Sequence, residues 1–118
     1  MKDRSPDNWT TQLRKGLLDL CILNAISGTR MYGYDIVRLL RGIEGLVIGE
    51  GTIYPILSRF KRDGLVQTVL EESSSGPARK YYELTPGGAE ALGRMNAIWA
   101  QIVSGVQSIQ SGTHREGK

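Results

Sequence analysis

Cysteine and histidine are nearly absent: the 118-residue chain has one of each, Cys21 and His114. A single thiol cannot form an internal disulfide, which points to a reducing compartment. One thiol and one imidazole do not make a metal-ligand cluster, so no metal site is expected. Long apolar runs are missing as well. A bilayer-spanning helix needs roughly twenty predominantly apolar residues, and no stretch of this sequence approaches that, so no membrane partner is expected. The opening residues Met1 to Asn8 are polar, without a visible secretory signal, and the expected address is the cytoplasm. Charge is only mildly one-sided, with 15 Lys and Arg against 12 Asp and Glu, a net +3. That balance is compatible with nucleic acid but does not by itself establish it. No nucleophile, base and orienting group stand in a recognisable constellation. Gly87-Gly88 lacks the further spaced glycine or lysine of a phosphate-cradling loop. An enzyme is therefore not expected, and nothing calls for a cofactor. Cys21, between Leu20 and Ile22, reads as a small buried hydrophobe.

What is present is organised around residues 50–66. Read as a helix, Ile53, Ile56, Leu57 and Phe60 fall at the spacing of a buried stripe. Pro55, Ser58, Arg59 and Arg62 repeat that spacing on the opposite face. Tyr54 and Lys61 share one flank, and Thr52 lies on the other. Slim, polar and cationic side chains facing out suit a helix that enters a DNA major groove. Pro55 requires that the helix start near Gly51 or Thr52, and Gly64 supplies a left-handed stop. Taken alone, the same stretch also fits a core helix with a solvated basic face.

The flanking segments extend that pattern. Residues 1–9 read as a flexible arm, with Trp9 packing where order begins. Thr10 to Ser27 is a first helix, apolar almost all round, which suggests burial by a second subunit. Tyr32-Gly33-Tyr34-Asp35 leads into a second helix ending near Ile43, with Ile36, Leu39, Leu40 and Ile43 as its core stripe and Arg38 and Arg41 outward. Leu46 to Ile48 is a candidate short strand. Val66–Glu72 and Arg79–Leu84 are strand candidates joined by the turn-rich loop 73–78. Helix, helix, helix, hairpin is the plan of a winged helix-turn-helix, with Arg79 and Lys80 placed for phosphate contacts from the wing.

The closing segment begins at Thr85, an N-cap, and Pro86, suited to a first helical position. Leu92, Met95, Trp99, Ile102, Val106 and Ile109 are spaced three, four, three, four, three, an a/d seam. A homodimer through this helix is the expectation, reading half-sites about one DNA turn, roughly 34 Å, apart. The fold class expected is mostly α with a small β-hairpin: a winged helix-turn-helix over 10–84, a long C-terminal dimerisation helix over 85–110, and a disordered tail over 111–118.

Several of these motifs together are similar to the PadR family of transcriptional regulators, and specifically to its short subfamily. The match is carried by Gly51-Thr52-Ile53-Tyr54-Pro55-Ile56-Leu57, by Asp63-Gly64-Leu65-Val66, by Gly76 through Arg79-Lys80-Tyr81-Tyr82-Glu83-Leu84-Thr85, and by Gly33-Tyr34. The resemblance implies a cytoplasmic dimeric repressor that binds double-stranded operator DNA. It implies that Tyr54 meets the phosphate backbone, that Thr52, Pro55, Ser58, Arg59 and Arg62 lie in or beside the major groove, and that Arg79 and Lys80 flank them. It also implies that some members release DNA on binding a small aromatic or multidrug-type ligand, with Trp99 as the matching pore residue. Met95, Ile102 and Val103 surround Trp99 without a carboxylate, so a neutral aromatic is the ligand expected. The plainer alternative for Trp99 is a ring that fills the dimer core. The alternative for the whole chain is a winged helix that binds protein and not specific DNA.

Overall fold

A computed structural model describes residues 6–44, 46 and 49–112. In chain order they form α1 (Pro6–Ala25), β1 (Met31–Tyr32), α2 (Gly33–Arg41), α3 (Glu50–Arg62), β2 (Val66–Ser73), β3 (Gly76–Leu84) and α4 (Pro86–Ser111). The strands make one antiparallel sheet in the order β1-β3-β2. Met31 faces Tyr82 and Tyr32 faces Tyr81 across the first pair, and Val66 faces Leu84 at the base of the second.

The winged helix-turn-helix expected from the sequence is present, with several boundaries moved. α1 begins at Pro6, not Thr10, because a proline fits the first turn of a helix, where its missing N–H has no partner to lose. The remainder of the expected arm, the tail beyond Gly112, and Val47 and Ile48 of the proposed short strand lie outside the described residues; Leu46 is buried but not in a strand. Trp9 does not pack on a neighbouring helix: it is 63% exposed. The sheet has a third strand, β1, beyond the expected hairpin. The expected loop 73–78 contracts to a turn at Ser74-Ser75, where the Ser75 N–H donates to Ser73 Oγ at 3.3 Å.

Fourteen residues form the core, contributed by all four helices and the sheet: Leu18, Ile22 and Leu23 of α1, with Ile26 just beyond it, meet Ile36, Val37 and Leu40 of α2, Ile53, Leu57 and Phe60 of α3, and Leu46, Val66, Tyr82 and Leu92. Burying that much apolar surface is the main favourable term for so small a domain. In α2 the buried stripe is Ile36, Val37 and Leu40. Leu39 and Ile43, expected in that stripe, are about half exposed. They lie on the side of α2 turned toward Trp99 of α4, not toward α3.

α3 starts at Glu50, which makes Pro55 its sixth residue and places it beyond the first turn. The missing proline N–H leaves the carbonyl of Gly51 without its helical donor. Gly51 is exposed, and a solvent-accessible carbonyl can take that bond from water at little cost. The helix ends through Gly64 at φ +81°, in the left-handed region that glycine enters without steric cost.

The start of α4 is seated on the end of α3. Thr85 caps α4 by accepting from the Gly88 N–H at 2.9 Å, and its own hydroxyl donates to the Gly64 carbonyl at 2.6 Å. The Thr85 N–H donates to the Leu65 carbonyl at 3.0 Å, and the Leu65 N–H to the Phe60 carbonyl at 2.9 Å. Beyond Leu92 and Met95, α4 leaves the core and projects, and the molecule's longest dimension is 61 Å.

Candidate nucleic-acid interface

α3 follows α2 as the second helix of the helix-turn-helix, and the β2–β3 hairpin stands beside it. Between them lies an open cleft of about 400 Å³ lined by Leu57, Ser58, Lys61 and Arg62 from α3 and by Thr68, Lys80 and Tyr82 from the hairpin. Leu57 and Tyr82 are its buried floor. The rim is polar and cationic, and no carboxylate lines it. Three cations converging from two elements raise the local potential for a polyanion.

The sequence-predicted residues do not all meet in this cleft. Ser58, Arg62 and Lys80 line the cleft, and Thr52 and Pro55 are exposed further up α3. Arg62 has only a loose neighbour, Asp63, at 3.8 Å. Lys61 and Thr68 join the cleft although the sequence reading placed neither in the site. The available signal for Thr68 was its period-two spacing from Val66 on the strand face turned toward α3.

Arg59, expected on the outward face with Arg62, is half-exposed and engaged within the chain: its guanidinium reaches α1, where Nη2 donates to Asp19 Oδ1 at 2.9 Å and Nη1 to Asp19 Oδ2 at 3.3 Å. The carbon centre of the guanidinium also lies 5.2 Å from the Phe60 ring centroid. The Asp19 hydrogen bonds, and then the charge of Asp19, hold Arg59 even more firmly protonated than usual. Helical spacing placed Arg59 one turn from Arg62, but a long side chain on a flank can bend toward a carboxylate on another element.

Arg79 is exposed at the outer face of the sheet, 5.0 Å from the ring centroid of Tyr32. Tyr32 in turn meets Tyr81 with ring centroids 6.0 Å apart, and Arg30 lies over Tyr81 at 5.6 Å while pairing with Glu71. Arg79 and Lys80 therefore project from opposite faces of β3, Lys80 into the cleft and Arg79 away from it. Gln67 and Glu83, directly opposite each other, share a hydrogen bond of 2.7 Å.

Tyr54 is half-buried, and its ring lies so close to Gly33 that a β-carbon there would stand 2.8 Å from Cε1. Burial, and then the negative charge of Glu50, push its phenol above the ordinary tyrosine range. The hydroxyl therefore stays protonated and able to donate.

The expected dimer seam also divides. Leu92 is buried in the chain's own core, and Met95 is partly buried against that core while also lining a groove. Trp99, Ile102, Val106 and Ile109 are exposed, joined by Ile98, which the heptad spacing had not included. The reason is position: the first turns of α4 lie over the core, the turns from Met95 to Ile102 border α1, and Val106 and Ile109 lie further along the helix. Trp99 stands between two shallow apolar grooves. One, about 390 Å³, is lined by Leu13, Leu17, Leu20, Met95, Ile98 and Ile102 among others; the second, about 380 Å³, by Leu20, Cys21, Ala25, Leu39, Leu40 and Ile43. Of the expected ligand residues, Trp99, Met95 and Ile102 meet at the first groove and Val103 does not line it. Nearby, Asn24 and Asn96 exchange two side-chain hydrogen bonds of 3.0 Å between α1 and α4. Burial raises the Cys21 thiol above its ordinary range.

A helix-turn-helix followed by a β-hairpin wing, with a basic cleft between the second helix and the wing, defines the winged-helix class of DNA-binding proteins. The PadR-like transcriptional regulator family matches residues 22–94, and the chain belongs to that family. It is 36% identical to a PadR-like transcriptional regulator from Bacillus cereus, whose crystal structure superposes with a TM-score of 0.77 over 84% of this chain and 96% of the other. A PadR-like transcription factor from Bacteroides fragilis is 39% identical, with a TM-score of 0.70 over 86% and 98% of the two chains. A transcriptional regulator of Mycobacterium tuberculosis is 27% identical over 106 residues, 90% of this chain and 97% of that one. The protein is thus a DNA-binding transcriptional regulator and not an enzyme. Among the described residues, no helix is long and apolar enough to cross a membrane.

Proposed function

We propose that the protein is a cytoplasmic homodimeric repressor that sets α3 into the major groove of a pseudo-palindromic operator and lays the wing along the flanking backbone. The observation that carries this is the convergence of Lys61, Arg62 and Lys80 around one cleft without a carboxylate. In this reading Arg62 and Lys61 meet phosphates or base edges, Lys80 meets the backbone from the wing, and Arg79 flanks it. Thr52, Pro55 and Ser58 allow close approach, and the neutral Tyr54 hydroxyl donates to a phosphate. The dimer forms through the exposed apolar residues Ile98, Trp99, Ile102, Val106 and Ile109 of α4 together with Trp9 and Leu13 of α1. Two symmetric copies of α3 then address half-sites about one turn, roughly 34 Å, apart.

Salt-dependent binding tests this directly. A fluorescent duplex selected by the protein from genomic fragments is titrated against a scrambled duplex over a range of salt. Tight, selective binding with a steep slope is the expected result. Equal, weak binding to both would favour a winged helix that recognises protein.

The grooves on either side of Trp99 support a second element of the reading: a neutral planar aromatic binds there and releases DNA. Such a ligand acts only by binding more tightly to the dimer whose recognition helices are wrongly spaced. Quenching of Trp99 fluorescence that accompanies loss of operator binding is the expected signature.

A further inference from the structure

α3 packs closely on α2 and on β2, but its backbone does not run alongside α1. α1 and α3 share the apolar core, and a polar link is added to it by reach: Arg59 extends from the last turns of α3 and holds both oxygens of Asp19. We infer that Arg59 is a positioning residue for DNA binding and not a DNA contact, and that the Asp19–Arg59 pair is a strut that fixes the angle of α3 against α1. The inference rests on the reading of α3 as the DNA-binding helix.

Three features of the geometry carry it. The pair is two-pronged, and a planar guanidinium gripping both oxygens of a carboxylate fixes orientation as well as distance. A lysine, a point charge on a flexible stem, would not reproduce it. Second, Asp19 occupies a strategic place on α1. Its neighbours Leu18 and Ile22 are in the core, while Leu20 lines both apolar grooves beside Trp99. Any rotation of α1 about its axis therefore moves Asp19, and Arg59 with it. Third, an arginine already committed to an internal carboxylate contributes little to neutralising phosphates, since its charge is compensated. Arg62, one turn on, has no such grip and keeps that role.

The two possible roles of Arg59 predict opposite signs at Asp19. Next to a phosphate, removing a carboxylate strengthens DNA binding by relieving repulsion. In a strut, removing it weakens binding because α3 loses its anchor. The test uses the full-length protein and the selected duplex, with Asp19→Asn, Arg59→Gln and the double variant titrated over salt, and Arg62→Ala and Lys80→Ala alongside. The strut predicts that Asp19→Asn and Arg59→Gln each weaken binding by roughly fivefold, with the salt slope unchanged and the double variant no worse than the poorer single. A role in overall stability alone would lower the unfolding midpoint without this shared, non-additive loss of affinity in folded protein. Asp19→Asn that binds as well as or better than wild type overturns the strut. So does Arg59→Gln with a slope reduced by about one counterion, the mark of a phosphate contact. If Arg62→Ala and Lys80→Ala leave both affinity and slope intact, the DNA-facing cleft itself is misassigned and the strut falls with it. If they weaken binding while Asp19→Asn does not, only the strut fails.

Discussion

A methyl group at residue 88 has nowhere to go. Gly88 is buried in the first turn of α4, and a β-carbon there would land on the carbonyl oxygen of Leu65. That oxygen already accepts from Thr85 and is part of the turn that ends α3. Gly88→Ala should cost about 3 kcal/mol or more in a urea titration, since backbone, unlike a side-chain tip, cannot step aside. Gly33→Ala should be milder, because its obstacle is the Tyr54 ring and not backbone; a loss of about 1–2 kcal/mol is expected. Tyr54→Phe separates the two roles of that residue. Stability should hold while operator affinity falls by roughly tenfold or more, the scale of one hydrogen bond to a charged group, and full affinity would show that Tyr54 only packs. At this scale the sequence was most misleading for charged side chains. Periodicity ranks positions around a helix, but it does not say whether Arg59 will find Asp19, forty residues away. The same limit applies to Arg79, whose strand register, not its place beside Lys80, decides that it lies over Tyr32.

Secondary structure was largely readable where a pattern ran for several turns. The buried side of α3, the Gly64 stop, the Thr85 cap and the Pro86 start are local chemistry, and they stand where the sequence placed them. β1 was not readable, because two residues carry no period; only its partners, Tyr81 and Tyr82, make Met31 and Tyr32 a strand. In α2 the sequence suggested one stripe of Ile36, Leu39, Leu40 and Ile43, and it could not show that Val37 would enter the core while Leu39 and Ile43 stayed half exposed. α3 offers a prediction of its own. Pro55 withholds an N–H from Gly51 inside a thirteen-residue helix. Pro55→Ala restores that bond and should stabilise the protein by about 1 kcal/mol in chemical denaturation. The expected cost is weaker operator binding, because the fixed, slim ring is replaced where the helix approaches the groove.

In the proposed dimer, the cationic cleft and the apolar face of α4 lie on different parts of the chain, so the DNA contacts and the assembly contacts can be mutated separately. Ile102→Glu places a carboxylate on the exposed seam and should give monomers by light scattering with an unchanged helical spectrum; a persistent dimer would move the interface elsewhere. Cys21 reports on the same region from the inside. Its partial burial beside Trp99 and its raised thiol pKa predict alkylation at neutral pH roughly tenfold slower in the native protein than in the unfolded chain, followed by mass spectrometry.

The seating of α4 on the Gly64-Leu65 turn has a mechanical consequence. With 26 residues at 1.5 Å rise, α4 is a rod of roughly 39 Å whose base is hydrogen-bonded to the end of the recognition helix. A tilt of about 5° at that base sweeps the far tip through about 3 Å, as the same arithmetic of rise and length requires. Conversely, clamping the tip against a second rod fixes the base to a fraction of that angle. In the proposed dimer the long helix is a lever, and residues near Ile109, far from any base pair, would set the pitch at which α3 is presented.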